Sequence, residues 1–155
     1  MGVSGCGKTT IARLLSKKID IPFFDADDFH PKQNVEKMTN GIALDDDDRK
    51  PWLKTLNVNL KYWQKNKGAI LACSALKEKY RATLTSGLDI QWVFLEGSIM
   101  LIKSRLNHRK RHFMNTCLLE SQFDCLEVPN YGTKIGVDKS PENIVDELLT
   151  HIDNE

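Results

Sequence analysis

The tightest structural restriction in this 155-residue sequence lies at its amino end, where residues 2–9 read Gly-Val-Ser-Gly-Cys-Gly-Lys-Thr. This run matches the pattern G-x-x-x-x-G-K-[ST] at every defined position, and the pattern is typical of a loop that wraps a phosphate group. Its glycines permit a turn that aims successive backbone N–H groups at one anion, and the helix that follows contributes the positive end of its dipole. Apolar residues at helical spacing come directly after the motif: Ile11, Leu14, Leu15 and Ile19.

The motif also predicts roles for its individual residues. Lys8 is expected to reach the outer phosphates of ATP, which makes it a candidate catalytic residue, and the Thr9 hydroxyl is expected to bind Mg²⁺. Cys6 stands at a variable position of the motif, where its ordinary role is that of a small, tolerated residue. The residues predicted to contact the nucleotide are Gly2, Ser4, Gly5, Cys6, Gly7, Lys8, Thr9 and Thr10.

Beyond the motif, the hydrophobic pattern predicts helices that alternate with short apolar strands. Strands are expected at residues 21–24, 69–73, 90–95 and 135–137, and helices at 31–41, 51–68, 77–86, 98–108, 116–126 and 141–152. Pro31 and Pro51 are each predicted to begin a helix. Strands that are apolar on both faces and alternate with helices indicate a parallel sheet covered on both sides. The expected fold class is therefore α/β, a single three-layer domain over residues 1–155.

Composition and charge limit the kinds of partner that the chain is expected to bind. Apolar residues make up 41% of the chain and charged residues 28%, with a formal net charge of +1, which is typical of a soluble globular protein without a nucleic-acid partner. The basic run at residues 108–112 is too short to change that expectation. No apolar run approaches the length of a membrane span. The four cysteines are scattered, as free thiols of a reducing compartment are, so a cytoplasmic location is expected.

Two carboxylates follow the first predicted strand. Residues at i and i+2 of a strand share a face, so Asp25 and Asp27 are both predicted to point toward the phosphates. Many nucleotide hydrolases place a metal-organising aspartate after a middle strand, but here the middle strands end in Cys73-Ser74 and in Glu96. An arrangement of carboxylates after the first helix is more usual in small-molecule kinases. The alternative is a pair of solvated turn carboxylates.

Several longer segments carry a resemblance. Residues 24–31 read Phe-Asp-Ala-Asp-Asp-Phe-His-Pro, residues 41–53 read Gly-Ile-Ala-Leu-Asp-Asp-Asp-Asp-Arg-Lys-Pro-Trp-Leu, and residues 73–77 read Cys-Ser-Ala-Leu-Lys. With Tyr80-Arg81, His112-Phe113-Met114 and Ser121-Gln122-Phe123, they make the chain resemble the gluconokinase family over essentially its whole length. That family comprises small P-loop kinases that form 6-phospho-D-gluconate from D-gluconate and ATP. The resemblance implies the fold of shikimate and nucleoside monophosphate kinases, with a five-stranded parallel sheet and a lid at about residues 105–129.

The resemblance also implies site residues. Asp25 would organise the Mg²⁺ shell, and Asp27 would meet the acceptor hydroxyl as a hydrogen-bond acceptor or base. Cations of the lid, Arg109 among them, would close over ATP, and the family suggests a homodimer. Arg105 and Pro141 would flank the adenine. Lys8, Asp27 and Arg81 are the predicted catalytic residues, and the residues expected to bind the sugar acid are Asp27, His30, Asn34, Lys37, Arg49, Lys77 and Arg81.

The sequence departs from the family pattern in places. Arg111 stands where the family usually has glycine, which bears on the lid. Family members have a strand ahead of the glycine loop, whereas only Met1 precedes Gly2 here, so the first strand of the sheet is expected to be missing. Two alternatives therefore stay open beside gluconate phosphorylation. One is a kinase of another small hydroxy acid such as shikimate, and the other is a catalytically impaired nucleotide-binding protein.

Overall fold

The computed structural model describes residues 1–107 and 116–152. In chain order, one or two helices lie between successive strands of the described residues. No helix in these two ranges is long and apolar enough to cross a membrane. The elements are α1 (Lys8–Ile19), β1 (Phe23–Asp25), a 3₁₀ turn (Ala26–Phe29), α2 (Lys32–Thr39), α3 (Asp46–Gln64), β2 (Ile70–Ala72), α4 (Glu78–Thr85), β3 (Val93–Glu96), α5 (Ile99–Asn107), α6 (Thr116–Asp124), β4 (Thr133–Gly136) and α7 (Pro141–Ile152).

The strands form two parallel pairs that the amino terminus joins. β1 pairs with β2, and β3 pairs with β4. Met1 and Gly2 lie between the two pairs: Leu95 N–H donates to the Met1 carbonyl at 2.9 Å, and Gly2 N–H donates to the Ser74 carbonyl at 3.2 Å. The Met1 ammonium donates to the Val93 carbonyl. The order across the sheet is thus β1, β2, the Met1–Gly2 link, β3 and β4.

The Met1–Gly2 link stands where the resemblance implies the first strand. Among the described residues no strand precedes the glycine loop, as expected from the sequence. A cavity of about 780 Å³ lies between β2 and β3 beside the link, and side chains of α1 and of the two strands line it. Burial of the Met1 ammonium lowers its pKa to about 6 from 8.0. Met1 and Gly2 therefore bridge the two strand pairs at the carboxyl end of the sheet. The cavity, called the slot below, lies between β2 and β3 on the amino side of this bridge.

Apolar residues cover both faces of the sheet. Phe94 and Leu95 are successive residues of β3 and point to opposite faces, so each belongs to a different cluster. Leu95 packs with residues of α1, α5 and α7, whereas Phe94 packs with residues of α3 and α4. Helices therefore lie on each side of a parallel sheet, which confirms the three-layer α/β fold.

The start of α3 differs from its prediction. The helix begins at Asp46, five residues before Pro51. The Asp45 carboxylate accepts from the Asp48 N–H at 2.8 Å, and the Asp48 carboxylate accepts from the Asp45 N–H at 3.0 Å. This reciprocal cap stabilises the first turn, and Pro51 is tolerated inside the helix. The prediction that Pro51 begins the helix was wrong because the acidic cap, rather than the proline, sets the boundary.

Candidate active site

The glycine loop has the backbone that its sequence requires. Gly7 caps α1 with a φ of 103°, and Gly2 has a φ of 143°. Residues that carry a side chain rarely adopt either backbone conformation. A Cβ on Gly2 would also lie 2.8 Å from the Leu95 carbonyl oxygen. The Lys8 ammonium donates across the loop to the Val3 carbonyl at 3.0 Å. Glycine is therefore needed for both the turn and the close approach of the loop to β3.

A side chain from α6 reaches this loop. The Ser4 N–H donates to the Gln122 Oε1 at 2.7 Å, which joins the loop to the end of the predicted lid. The sequence-based reasoning gave Gln122 no site role. Ser121-Gln122-Phe123 is one of the segments that carry the family resemblance, and this membership is the signal from which a site role for Gln122 could have been inferred.

The two predicted metal ligands lie side by side. Thr9, in the first turn of α1, donates its hydroxyl to the Asp25 carboxylate at 2.8 Å. Asp25 ends β1, and its other carboxylate oxygen accepts from the Asp27 N–H at 3.2 Å, which caps the 3₁₀ turn. A hydroxyl and a carboxylate oxygen are hard donors of the kind that Mg²⁺ prefers. No cluster of three or more His, Cys, Asp or Glu residues that could hold a metal occurs in the described ranges.

Asp27 reaches the site by a route that the sequence pattern did not predict. β1 ends at Asp25, so the argument that the two carboxylates share a strand face was wrong. The 3₁₀ turn instead carries Asp27 to the same end of the sheet. Burial by surrounding protein atoms raises the pKa of Asp27, and the Asp25 carboxylate raises it further, while Lys8 acts in the opposite direction. A carboxylate with a raised pKa is a stronger base than a free one.

His30 is held in its neutral form. Its ring stacks on the Trp52 indole, with centroids 4.2 Å apart and planes 13° from parallel. Burial, followed by the charge of Arg49, lowers the pKa of His30 to about 4. The Asn34 amide lies 3.3 Å from His30 Nδ1 and donates to the Asp48 carbonyl at 2.9 Å. With Nδ1 accepting from Asn34, the ring proton lies on Nε2, where it can be donated.

Two of the predicted cations of the acceptor side, Lys37 and Arg49, are tied to α3 or to the segment before it. Lys37 makes ammonium–carboxylate contacts of 2.6 and 2.8 Å with Asp48. Arg49 donates to the Leu44 carbonyl and, at 3.1 Å, to the Asp45 carbonyl. Its guanidinium carbon lies 5.6 Å from the centre of the Tyr80 ring. The start of α3 therefore organises both side chains.

Lys77 belongs to a second group of side chains, which surrounds the same Tyr80 ring. Its ammonium lies 5.7 Å from the Tyr80 ring centre and 3.2 Å from the Asp46 carboxylate. Asp46 also accepts from Lys79 and from the Tyr80 hydroxyl, and these bonds hold its pKa below the usual range. Burial and the bond to Asp46 raise the pKa of Tyr80 to about 12. The sequence-based reasoning missed Asp46 and Tyr80, because a run of four aspartates does not show which one faces α4.

Arg81 is held by surrounding backbone carbonyls and side chains. Its side chain is 2% exposed, and it donates to the Ala75, Leu76 and Glu127 carbonyls, to Glu78 and to the Tyr131 hydroxyl. Ala75 has a positive φ of 45°, a conformation that a non-glycine residue adopts only under support. These contacts support the turn that leads from β2 to Lys77, and the catalytic and substrate-binding roles expected of Arg81 stay predictions.

Three of the residues predicted to contact the nucleotide, Thr9, Thr10 and Pro141, line one small cavity. A cavity of about 300 Å³ is lined by Thr9, Thr10 and Pro141, together with residues that were not predicted: Arg13, Leu14 and Glu142. Arg105 does not line this cavity, and its guanidinium donates to the Val137 carbonyl. The predicted lid residue Arg109 lies outside the described residues. Thr10 and Pro141 are thus brought together, whereas Arg105 is engaged elsewhere.

Known proteins share both the sequence and the fold. The family model described as shikimate kinase matches residues 4–152. A probable gluconokinase of Dictyostelium discoideum is 39% identical over 167 residues, covering 98% of this chain and 84% of that protein. A probable gluconokinase of Xenopus tropicalis is 41% identical over 173 residues, covering 99% and 91%.

A solved structure agrees with these relatives. The crystal structure of a gluconokinase from Sinorhizobium meliloti 1021 superposes with a TM-score of 0.90 at 36% identity, covering 99% of this chain and 89% of that one. The chain spans most of the length of each of these proteins. By these matches it is an ATP-dependent kinase that acts on a hydroxyl group. The chain belongs to the gluconokinase family, within the wider group of shikimate kinase-like P-loop enzymes.

Proposed function

We propose that this protein transfers the γ-phosphoryl group of ATP to the terminal hydroxyl of D-gluconate and so forms 6-phospho-D-gluconate. The observation that carries the proposal is the adjacency of two sets of groups at one end of the sheet. Lys8, Thr9 and Asp25 belong to the phosphate side, and His30 and Arg49 belong to the acceptor side. Asp27 adjoins both sets, since Lys8 and Asp25 both act on its pKa and its carbonyl accepts from the His30 N–H at 3.3 Å.

On the phosphate side, the structure supports binding of ATP with Mg²⁺. The positive-φ glycines leave room for a phosphate group against the backbone, and the Thr9 and Asp25 oxygens lie 2.8 Å apart. Mg²⁺ usually takes one or two protein oxygens and completes its shell with water and substrate phosphates, which fits a two-residue donor set. When bound, the cation would neutralise charge on the phosphates. Lys8 would turn from the Val3 carbonyl to the outer phosphates.

On the acceptor side, the groups suit a small polyhydroxy acid. Asp27 can accept the proton of the attacking hydroxyl, because its raised pKa makes it a competent base. Neutral His30 can donate from Nε2 to a hydroxyl oxygen without adding charge beside Arg49. Arg49 and Lys77 can bind the carboxylate, and charge-assisted bonds of this kind are stronger than neutral ones. Lys37 and Asn34 would form the remaining side of the acceptor site, where both are held by Asp48: Lys37 contacts its carboxylate and Asn34 donates to its carbonyl.

An acceptor panel tests the proposal. ADP release is followed in a coupled assay with gluconate, with shikimate and with no acceptor. We expect gluconate-dependent release and a background rate with the other two. Release that depends on shikimate but not on gluconate would overturn the choice of acceptor. Nucleotide binding without acceptor-dependent release would favour the catalytically impaired alternative. The lid at 105–129, the adenine contacts and a homodimer remain parts of the same proposal.

A further inference from the structure

The four aspartates at the start of α3 have four different sets of partners. Asp45 caps the helix, and Asp48 caps it in return while it also holds Lys37. Asp47 pairs with Lys50, and its side chain is 86% exposed. Asp46 alone among the four contacts α4 and the residue that precedes that helix. A sequence of four identical residues therefore contains one that links two elements of the acceptor side.

Asp46 collects three donors around one aromatic ring. One carboxylate oxygen accepts from Lys77 at 3.2 Å and from the Tyr80 hydroxyl, and the other accepts from Lys79. Tyr80 is buried, so its hydroxyl is a fixed point to which the carboxylate is attached. Arg49 and Lys77 lie 5.6 and 5.7 Å from the centre of the same ring. Three cations thus border one ring, since Lys79 lies 5.9 Å from its centre, and the Asp46–Tyr80 pair fixes the positions of Lys77 and Lys79.

We propose that Asp46 is a positioning residue that holds Lys77 at the Tyr80 ring, which Arg49 also borders, so that both cations meet the carboxylate of an acidic acceptor. This inference rests on the proposed function. A lysine side chain has four rotatable bonds, and neighbouring cations repel it, so an unanchored Lys77 would spend little time at this ring. One ion-pair contact with Asp46 leaves the remaining N–H groups of the ammonium for substrate. Asp46 acts through Lys77 and does not itself touch the acceptor.

The test compares Asp46→Asn with Asp47→Asn, which removes the same charge from the next residue of the same helix turn. For Asp46→Asn we expect the KM for gluconate to rise roughly fivefold, the effect of losing one partly exposed ion pair. The value of kcat and the KM for ATP should stay within about twofold. Asp46→Glu should restore much of the loss, and Asp47→Asn should behave as the wild type. An unchanged or lowered KM for gluconate in Asp46→Asn would overturn the proposal.

A second readout separates this inference from the proposed function. Competitive acetylation followed by mass spectrometry measures the reactivity of Lys77 against Lys18, which pairs with a distant aspartate on α7. Loss of Asp46 should raise the relative reactivity of Lys77 severalfold, whereas loss of Asp47 should not. Equal reactivity in the two variants would overturn the role of Asp46 even if gluconate is the acceptor. Absence of gluconate turnover in the wild type would overturn the proposed function and leave the labelling result to decide on Asp46.

Discussion

An apolar extension ahead of Met1 should stabilise the chain by filling the slot between β2 and β3. Met1 N–H and C=O bond to Val93 and Leu95, and Gly2 N–H bonds to Ser74, which is the alternating pattern of a strand placed between two parallel neighbours. Residues added on the amino side of Met1 would continue this strand into the cavity of about 780 Å³. Four residues would extend it by roughly 13 Å.

The expected gain in stability is the free energy of burying the added side chains minus the cost of ordering the added backbone. Four aliphatic side chains buried between the helix layers contribute about 6–12 kcal/mol. Fixing four backbone residues costs about 4–8 kcal/mol, so a net gain of about 2–4 kcal/mol remains. The extension would also remove the buried ammonium of Met1, whose lowered pKa of about 6 shows that burial disfavours its charge. For a chain of this size, such a gain raises Tm by roughly 5–15 °C.

The assay is thermal unfolding of three chains: the chain itself, one with Val-Val-Leu-Val ahead of Met1, and a control with Ser-Asn-Ser-Asn. The apolar extension should raise Tm, and the polar control should not, because polar side chains gain nothing from entering an apolar slot. Equal melting temperatures for the two extended chains would refute the reasoning. They would show that the slot does not accept a strand, or that it closes by rearrangement of β2 and β3.

Four further predictions concern single residues. Lys8→Met should reduce turnover by several orders of magnitude without loss of folding, and retention of more than about a tenth of the activity, a step of ~1.4 kcal/mol, would remove Lys8 from the mechanism. Asp25→Asn should raise the Mg²⁺ requirement, whereas Asp27→Asn should lower kcat at saturating Mg²⁺; identical Mg²⁺ titrations would contradict this division. The pKa of His30 is about 6.5 in the unfolded chain and about 4 in the folded chain, so the unfolded chain takes up the proton first as the pH falls. The wild type should therefore lose stability relative to His30→Gln between these two pH values. A constant difference in the free energy of unfolding between the two proteins would contradict this prediction. Arg81→Met should lower the free energy of unfolding by roughly 3 kcal/mol, because several carbonyl partners lose their donor; an unchanged urea midpoint would contradict this supporting role.

The parts of the site that the sequence predicted well are those governed by local chemistry. The glycine loop, Thr9 and the end of β1 lie within one loop–helix–strand unit, where motif spacing and chain direction leave few arrangements. The motif assigned Thr9 and the resemblance assigned Asp25 to Mg²⁺, and the structure brings their side chains within 2.8 Å of each other. Asp45 and Asp48 stand at the spacing of a capping pair, and this pair determines the helix boundary at Asp46 although Pro51 favours a later start.

The parts that the sequence did not predict depend on contacts between distant elements. Arg81 and Tyr80 are neighbours in sequence, yet one is enclosed by backbone carbonyls and the other faces Asp46. A sequence pattern gives the helix face of a residue but not the partner that the opposite element supplies. The argument that placed Asp27 on the strand face of Asp25 failed for a related reason, because a 3₁₀ turn begins at Ala26 where continued strand geometry was assumed. Turns of this kind are set by side-chain caps that hydrophobic periodicity does not report.

The most direct test of the account compares kcat/KM for D-gluconate with that for D-glucitol, which carries the same hydroxyl chain with a neutral group in place of the carboxylate. The account holds that Arg49 and Lys77 bind that carboxylate beside a base that activates the terminal hydroxyl. We therefore expect gluconate to be preferred by roughly a hundredfold or more, because the neutral analogue offers no carboxylate to the two cations. Comparable kcat/KM values for the two compounds would contradict the account.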